Sequence, residues 1–502
     1  MIAASRGRFL FNIFGVVVVA FWLTMMGMLV KKLNFTEHVS GITYENSEIH
    51  IDSAQREWKD IFLKGRKVGY AVNLIKPFQE GYFIQEEIFL RINLMGLERG
   101  VYTLTQSRVD NRFLLKSFFF KMTSGIVNYS ISGRVEGDQL HIVTGKGKEK
   151  RTQEIKLSET PMIGAGMGHI FKTRKIRVGD TVRMPFFDPS TMAQKEMTIK
   201  VAARESLKIR GISYDAFRLE AEMWGRPMKF WVDEEGSTLK EEGFMGLTTL
   251  RSSAANAPLE IEGSEEDDFY ELAAIRPDRE ISHPERLSFL KVKIEGLEDA
   301  PLVSEELEGG RQQFRENVLE VKREKLPLEA AYSIPYAEGE DELLAALRPE
   351  FNIESDAEEI IEKAREIAGN DKDPTRVSRK LMRWVYKNVE KRPVVSIPSA
   401  LEVLRTRVGD CNEHATLLAA LLRASGIPAR LSVGIVYTRK SFYYHAWTEA
   451  YVGTWISMDA TMNQMPADAS HIRLMHGNLD KQVELAGLIG KLELELLDTK
   501  HD

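Results

Sequence analysis

Residues 409–414 read Gly-Asp-Cys-Asn-Glu-His and lead into the run Ala-Thr-Leu-Leu-Ala-Ala-Leu-Leu at residues 415–422. Cys411 in this stretch is the only cysteine in a chain of 502 residues. Asp410, with Glu413 three residues later, predicts a capping box at the start of a helix. Cys411 is therefore predicted to be the first helical residue, where the positive end of the helix dipole and the free backbone N–H groups favour a thiolate.

Two stretches rich in aromatic and β-branched residues follow, at residues 442–452 and 455–459, and they predict two strands joined by a short turn. His445 lies on the first strand and Asp459 ends the second. A two-residue hairpin would place Asp459 opposite Thr448. Contact between His445 and Asp459 therefore requires a diagonal pairing or a bulge.

The three side chains suit three catalytic roles. Cys411 is predicted as the nucleophile, His445 as the proton acceptor and donor, and Asp459 as the group that orients the imidazole. Each residue alone has a commoner structural explanation, namely a buried thiol, a core histidine or a turn-forming aspartate. His414 is a rival base because it lies one helical turn from Cys411. A zinc site of Cys411, His414 and His445 would lack the usual paired spacing, so no metal and no cofactor is expected.

The order of these motifs resembles the transglutaminase-like superfamily of papain-type Cys-His-Asp enzymes, as a membrane-anchored bacterial member. Four matching motifs carry the resemblance: Gly-Asp-Cys at 409–411, Gly-Ile-Pro-Ala-Arg at 426–430, His-Ala-Trp at 445–447, and the stretch from Trp455 to Thr461. The resemblance covers roughly residues 340–475. Ala460 departs from the family pattern, which has proline there, and alanine is expected to loosen the turn that carries Asp459.

The resemblance implies that Cys411, His445 and Asp459 form a catalytic triad. The thiolate would attack an amide carbonyl, and His445 would protonate the departing amine, leaving a thioester acyl-enzyme. Water as the acceptor gives a peptidase or amidase, which is favoured, whereas an amine gives a protein-crosslinking transglutaminase. An alternative of another class is a catalytically inactive, membrane-tethered binding or scaffold protein. The expected partner is a protein or peptide substrate at the cell envelope.

Residues 9–30 form an apolar run in which only Asn12 is strongly polar, and basic residues flank it on both sides. Such a run is long enough to cross a bilayer. It predicts a single-pass helix in the inner (cytoplasmic) membrane, with the N-terminus inside and the C-terminal bulk periplasmic or extracellular. A cleaved signal peptide is the alternative.

The composition agrees with an exported protein. The net charge is −6 and 28% of the residues are charged, which is typical of an ordinary soluble ectodomain and does not indicate a nucleic-acid binder. A single cysteine fits an oxidising compartment, because no second thiol can form a disulfide with it.

The whole chain is predicted to be an α+β protein, with a C-terminal transglutaminase-like (papain-like) domain preceded by an all-β region and an N-terminal transmembrane helix. The predicted parts are a membrane anchor at residues 1–35, a β-rich extracytoplasmic domain at 45–255, an acidic linker at 256–285, a small β module at 286–335 and the catalytic domain at 340–498. Within the catalytic domain, Ser355 with Glu358 predicts the start of one helix. Asp373 with Pro374 predicts the start of the next.

Overall fold

The computed structural model describes residues 41–43 and most of residues 50–502. The gaps in the second range are residues 126, 146–149, 165–170, 172–175, 224–225, 244–245, 264–267, 298–305, 338, 398, 478–484 and 486–487. Strands make up 50% of the protein and helices 16%.

The first half of the chain forms a single large sheet of fifteen strands. These are β1 (Gly41–Thr43), β2 (Gln55–Leu63), β3 (Arg66–Pro77), β4 (Gly81–Leu94), β5 (Leu97–Asp110), β6 (Leu115–Ser124), β7 (Val127–Glu136), β8 (Gln139–Thr144), β9 (Arg151–Lys156), β10 (Thr181–Asp188), β11 (Ala193–Ile209), β12 (Ile212–Met223), β13 (Arg226–Val232), β14 (Thr238–Glu242) and β15 (Leu247–Ser252). The runs β2–β9 and β10–β15 each pair in sequence order, and β15 pairs with β2 to join them. Every pair is antiparallel except β1 with β10.

Alternating side chains build the core of this sheet. In β6, Phe118 and Phe120 are buried while Phe119 between them is 37% exposed, as the two-residue period of a strand requires. The two runs of strands also share a core, since one apolar cluster contains Ile84 of β4 together with Ile199 of β11. Strands of the first run therefore pack against strands of the second.

The second half of the chain mixes short strands with helices. Its strands are β16 (Leu287–Glu295), β17 (Gln312–Arg315), β18 (Val318–Lys322), β19 (Glu390–Lys391), β20 (Val408–Gly409), β21 (Ala429–Thr438), β22 (Ser441–Tyr451), β23 (Trp455–Met458), β24 (Ile472–His476) and β25 (Glu493–His501). Its helices are α1 (Phe269–Leu272), α2 (Asp341–Ala345), α3 (Glu358–Ala368), α4 (Pro374–Asn388), α5 (Ala400–Thr406) and α6 (Cys411–Ala424).

Two four-stranded sheets organise this half. One has the order β17-β18-β16-β25 and the other the order β23-β22-β21-β24. The C-terminal strand β25 pairs antiparallel with β16, and one apolar cluster extends from Ile275 through α6 to Leu496. The boundary predicted between the small β module and the catalytic domain therefore crosses a single hydrophobic core.

The large sheet and the catalytic region are in direct contact. Ile397 belongs to the same apolar cluster as Phe118 and Phe120 of β6. Arg151 of β9 also forms an ion pair of 2.6 Å with Asp356. The β-rich region thus contributes to the surroundings of the helices that precede Cys411.

The predicted α+β fold class is wrong for the chain as a whole, which is mostly β. Strands of the large sheet have up to the 17 residues of β11, while the longest helix among the described residues, α4, has 15 residues. Apart from the short α1, the helices α2–α6 lie in the catalytic region, so strands predominate in the chain as a whole. The all-β region itself is present as predicted.

The predicted location in the inner membrane is also corrected. Among the residues that the structure describes, no helix has the length and the apolar character needed to cross a membrane. The run at residues 9–30, on which the prediction of a single-pass protein depended, lies outside the described residues. That location therefore has no support in the structure.

Of the two helix starts predicted before residue 400 in the catalytic domain, one is confirmed. The Asp373 side chain accepts the N–H groups of Thr375 at 2.8 Å and Arg376 at 3.1 Å, and α4 begins at Pro374. The predicted capping box of Ser355 is wrong, because α3 begins at Glu358 with Ala357 as its N-cap and no side-chain cap.

Candidate active site

The helix that carries the cysteine begins as the sequence predicts. Asp410 is the N-cap of α6; its side chain accepts the N–H of Asn412 at 3.0 Å, and the Glu413 carboxylate accepts the N–H of Asp410 at 2.8 Å. The capping box is confirmed. Gly409 makes it possible, since a Cβ there would lie only 2.2 Å from the Cβ of Glu413. These contacts fix Cys411 as the first helical residue.

The predicted hairpin brings His445 and Asp459 together through a diagonal contact. Thr448 of β22 pairs with Met458 of β23, so the register places Asp459 level with Trp447, two residues from His445 on the same face. His445 Nε2 lies 2.7 Å from Asp459 Oδ2, and both side chains are buried. The observed register differs by one residue from the simple hairpin register predicted from the sequence. The diagonal contact between His445 and Asp459, which the prediction required, is present.

The turn after β23 holds the Asp459 carboxylate without the family's proline. Oδ1 accepts the N–H groups of Thr461 at 2.6 Å and Met462 at 3.0 Å. The backbone of Asp459 also exchanges two hydrogen bonds with Gln464, of 2.9 and 3.0 Å. These four bonds hold the turn, so the alanine at position 460 does not leave it loose.

Two imidazoles set the ionisation of Asp459. Its Oδ2 contacts not only His445 but also Nε2 of His471, at 3.1 Å. Burial acts to raise the pKa of Asp459, but the charges and hydrogen bonds of His445 and His471 outweigh burial and hold this pKa well below its usual range. Asp459 is consequently a carboxylate at neutral pH, as its predicted role requires.

Cys411 is partly exposed as a residue, and its sulfur lies beside Ala446 of strand β22. The backbone N–H of Ala446, the residue after His445, is directed at this sulfur and lowers the pKa of the thiol. Burial and the negative charges of Asp410 and Glu413 act more strongly and raise that pKa well above its ordinary value. In the free protein the helix start therefore does not produce a thiolate by itself, and a base must take the proton.

The rival base, His414, is bound to the backbone at the start of its own helix. It is fully buried, and its Nδ1 lies 2.6 Å from the backbone oxygen of Asp410. Burial lowers the pKa of His414. One nitrogen is thus engaged with the backbone of the N-cap, which disfavours His414 as the partner of Cys411.

Sequence reasoning missed two buried residues of this site, His471 and Asp468. His471 Nδ1 lies 3.3 Å from Asp468 Oδ1, on the side of the ring opposite its contact with Asp459. Both residues lie in the segment before β24, which has no periodic pattern. The sequence offered no local signal for either.

A third missed contributor comes from the segment predicted as an acidic linker. Tyr270 of α1 stacks on Tyr443 of β22 with ring centroids 4.7 Å apart, and the Tyr443 hydroxyl donates to Glu271 at 2.7 Å. Burial and the charge of Cys411 raise the pKa of Tyr270. This aromatic pair therefore forms part of the surroundings of Cys411.

His445, Asp459 and His471 could be mistaken for a metal centre, since their potential ligand atoms all lie within 4.8 Å of one another. Two ligands of a tetrahedral zinc, each about 2.0–2.1 Å from the ion, lie about 3.3 Å apart or more. The 2.7 Å between His445 Nε2 and Asp459 Oδ2 is shorter than that and is typical of a hydrogen bond. We interpret the cluster as hydrogen-bonded side chains.

A cysteine at a helix start beside a buried histidine–aspartate pair is an arrangement found in cysteine enzymes. Residues 361–460 match the family model of the transglutaminase-like superfamily. This chain thus carries a transglutaminase-like domain, and the family predicted from the motifs is confirmed. A search of curated proteins finds no match.

Three solved structures are similar to parts of the chain. A protein of Cytophaga hutchinsonii, described provisionally as a cysteine protease, is 18% identical over 43% of this chain and 86% of its own, with a TM-score of 0.28. A β-barrel-like protein from a domain of unknown function of Brucella abortus is 13% identical over 41% of this chain and 96% of its own, with a TM-score of 0.31. A protein of Parabacteroides distasonis, described provisionally as a protease, is 11% identical over 70% of this chain and 68% of its own, with a TM-score of 0.20.

Proposed function

We propose that this protein is a cysteine enzyme that acts on amide or peptide bonds of a protein or peptide substrate through Cys411, His445 and Asp459, with hydrolysis as the favoured outcome. The observation that carries the proposal is the 2.7 Å contact between His445 and Asp459. It lies next to Ala446, whose N–H is directed at the Cys411 sulfur.

The geometry suits acylation of Cys411. With His445 Nε2 held by Asp459, the other ring nitrogen, Nδ1, is available to take the proton of the thiol. The sulfur then attacks the substrate carbonyl carbon, and His445 returns the proton to the nitrogen of the departing amine as the C–N bond breaks. The product is a thioester on Cys411 and a free amine.

Deacylation uses the same residues in reverse. Water attacks the thioester carbonyl and gives a proton to His445, which passes it to the departing Cys411 sulfur. The Cys411 N–H, at the first helical position, has no acceptor within the helix and suits an oxyanion donor. Asp459 stabilises the imidazolium of His445 in both halves of the reaction.

Hydrolysis is favoured over transfer to an amine because Cys411 is partly exposed, so water can reach an acyl group on this residue. Trp447, which shares a strand face with His445, is fully buried in the core and stacks on the imidazole at 6.3 Å. A protein-crosslinking transglutaminase remains the alternative outcome of the same acyl-enzyme.

One observation favours a non-catalytic binding or scaffold protein, namely the raised pKa of the Cys411 thiol. Burial and the negative charges of Asp410 and Glu413 cause this rise. Transfer of the proton to His445 creates a positive charge beside the sulfur, and this charge stabilises the thiolate. The Cys411 thiolate can therefore form together with the His445 imidazolium, although it would not form alone.

The proposal is tested by trapping the acyl-enzyme on the full-length chain. The protein is mixed with a p-nitrophenyl ester, and its intact mass is measured before and after treatment with hydroxylamine, which cleaves thioesters. We expect one hydroxylamine-sensitive acyl group in the wild type and none in Cys411→Ser. We expect acylation to be slower by about 10²–10⁴-fold in His445→Ala. Adding a primary amine then shows whether the acyl group goes to water or to the amine.

The matched control is His141→Gln, since His141 lies on β8 of the large sheet and its ring nitrogens lie near the carboxylates of Glu136 and Glu154. Its acylation rate should equal that of the wild type. Equal rates in the wild type and His445→Ala would exclude the proposed pair and favour the scaffold.

A further inference from the structure

His471 lies between two acidic side chains in the core of the catalytic domain. It is fully buried; its Nε2 is 3.1 Å from Asp459 Oδ2, and its Nδ1 is 3.3 Å from Asp468 Oδ1. Ionised carboxylates only accept hydrogen bonds, so both ring nitrogens have to donate. The ring that satisfies both contacts is the doubly protonated imidazolium. In agreement with this, the two carboxylates overcome burial and raise the pKa of His471 to about 9.

Asp468, the residue that contacts His471 on the side away from Asp459, is itself held by hydrogen bonds. Asp468 Oδ1 also accepts the N–H of Ser470 at 2.8 Å and its hydroxyl at 2.6 Å, while Oδ2 accepts from the Gln464 amide at 2.8 Å. The Arg311 guanidinium donates to the Asp468 backbone oxygen at 2.6 Å. Asp468 therefore cannot rotate freely, and it holds the His471 ring in one orientation.

On the side of Asp459, His471 shares a single oxygen with His445. Both Nε2 atoms point at Asp459 Oδ2, while Oδ1 is taken by backbone N–H groups of the turn. A carboxylate fixed on both oxygens presents Oδ2 to His445 in one position only. A second donor on Oδ2 also keeps Asp459 ionised while His445 exchanges its proton.

We propose that His471 is a positioning residue of the triad, which holds the Asp459 carboxylate against His445 and is itself held by Asp468. This inference rests on the proposed function of Cys411, His445 and Asp459. His471 is hydrogen-bonded to Asp459 and Asp468, so it acts on the pair of Cys411 and His445 through the position of Asp459 and through its own charge.

The charge of His471 gives this role a measurable signature. The charged or titratable groups around it are Asp459, Asp468 and His445, whose ring centroid lies 5.8 Å away, with the Arg311 guanidinium bound to the Asp468 backbone. Removing a buried positive charge raises the pKa of each neighbouring group, and this applies to the Cys411–His445 pair. A unit charge at about 6 Å in an effective dielectric of about 20 corresponds to a shift of about one to two pH units.

The experiment measures the rate of Cys411 alkylation by iodoacetamide against pH in the full-length protein. One variant is His471→Gln, which keeps a hydrogen-bond donor but removes the charge. The other is Asp468→Asn, which keeps the shape of the Asp468 side chain but removes its negative charge, so that His471 loses its proton more easily. We expect the midpoint of the profile to move upward by about one to two pH units in His471→Gln and in the same direction in Asp468→Asn. His141→Gln should match the wild type.

A folded His471→Gln variant with the wild-type profile would overturn the inference. Circular dichroism at neutral pH shows whether the variant is folded. If His471→Gln is unfolded, a folded Asp468→Asn variant with the wild-type alkylation profile would overturn the inference instead. Failure of the proposed function has a different signature, namely a wild-type profile that His445→Ala leaves unchanged.

Discussion

The buried His471 makes local stability depend on pH in a direction that can be calculated. Its pKa is about 9 in the folded protein and 6.5 as an ordinary histidine, a difference of about 2.5 units. At 1.36 kcal/mol per unit, protonated His471 stabilises its surroundings by about 3 kcal/mol. Since the folded pKa is the higher one, this contribution is fully present below pH 6.5. It is lost as the pH rises through 9.

Hydrogen exchange of peptides spanning β22 and β23 measures the stabilisation by His471 locally. A single unfolding midpoint would not isolate it in a chain of this size. Opening free energies, corrected for intrinsic exchange at each pH, are compared between the wild type and His471→Gln. We expect a difference of about 3 kcal/mol at pH 6 that falls towards zero by about pH 10. A difference that stays constant over this range would refute the assignment of His471 as a buried imidazolium.

Three substitutions test other parts of the account. Asp459→Asn removes the carboxylate that both imidazoles share, so acylation of Cys411 should slow by about 10²–10⁴-fold in the p-nitrophenyl ester assay. Gly409→Ala forces a Cβ to within 2.2 Å of the Glu413 Cβ; the catalytic domain should lose about 1–3 kcal/mol of local stability, measured by hydrogen exchange of peptides spanning α4 and α6. Asp373→Ala removes the N-cap of α4 and should cost about 1 kcal/mol in the same measurement, with no change in acylation rate.

The sequence predicted the site where the signals were local. The capping box of Asp410 and Glu413 depends on residues three apart, and the hairpin of β22 and β23 on strand patterns with a short turn between them. Both features are present in the structure because the local backbone fixes which residues contact each other. The register was displaced by one residue, since turn geometry decides it and the turn type could not be derived from composition.

The contacts that sequence reasoning missed are made across the fold. His471 reaches Asp459 only because the segment after β23 crosses to the other edge of the sheet, where β24 pairs with β21. Tyr270 reaches Tyr443 from a segment whose acidic composition suggested a solvated linker. Neither segment has the periodicity that would have fixed its path, so tertiary packing alone places these side chains.

The error in fold class has a different origin. The β-rich region was predicted as one part of an α+β chain, whereas its strands dominate the fold. β11 pairs with β12 from Ile199 to Ile209, through one irregular step between Val201 and Ala203. Such bulges interrupt the alternating pattern in the sequence without ending the strand.

The proposed catalytic pair is tested most directly by the pH dependence of Cys411 alkylation by iodoacetamide in the full-length wild type and in His445→Ala. The single thiol makes the signal unambiguous. The account predicts that the wild type reacts well below the ordinary thiol pKa of about 8.5, because His445 takes the proton, whereas the variant reacts only at alkaline pH. Identical profiles in the two proteins, both confined to alkaline pH, would contradict it.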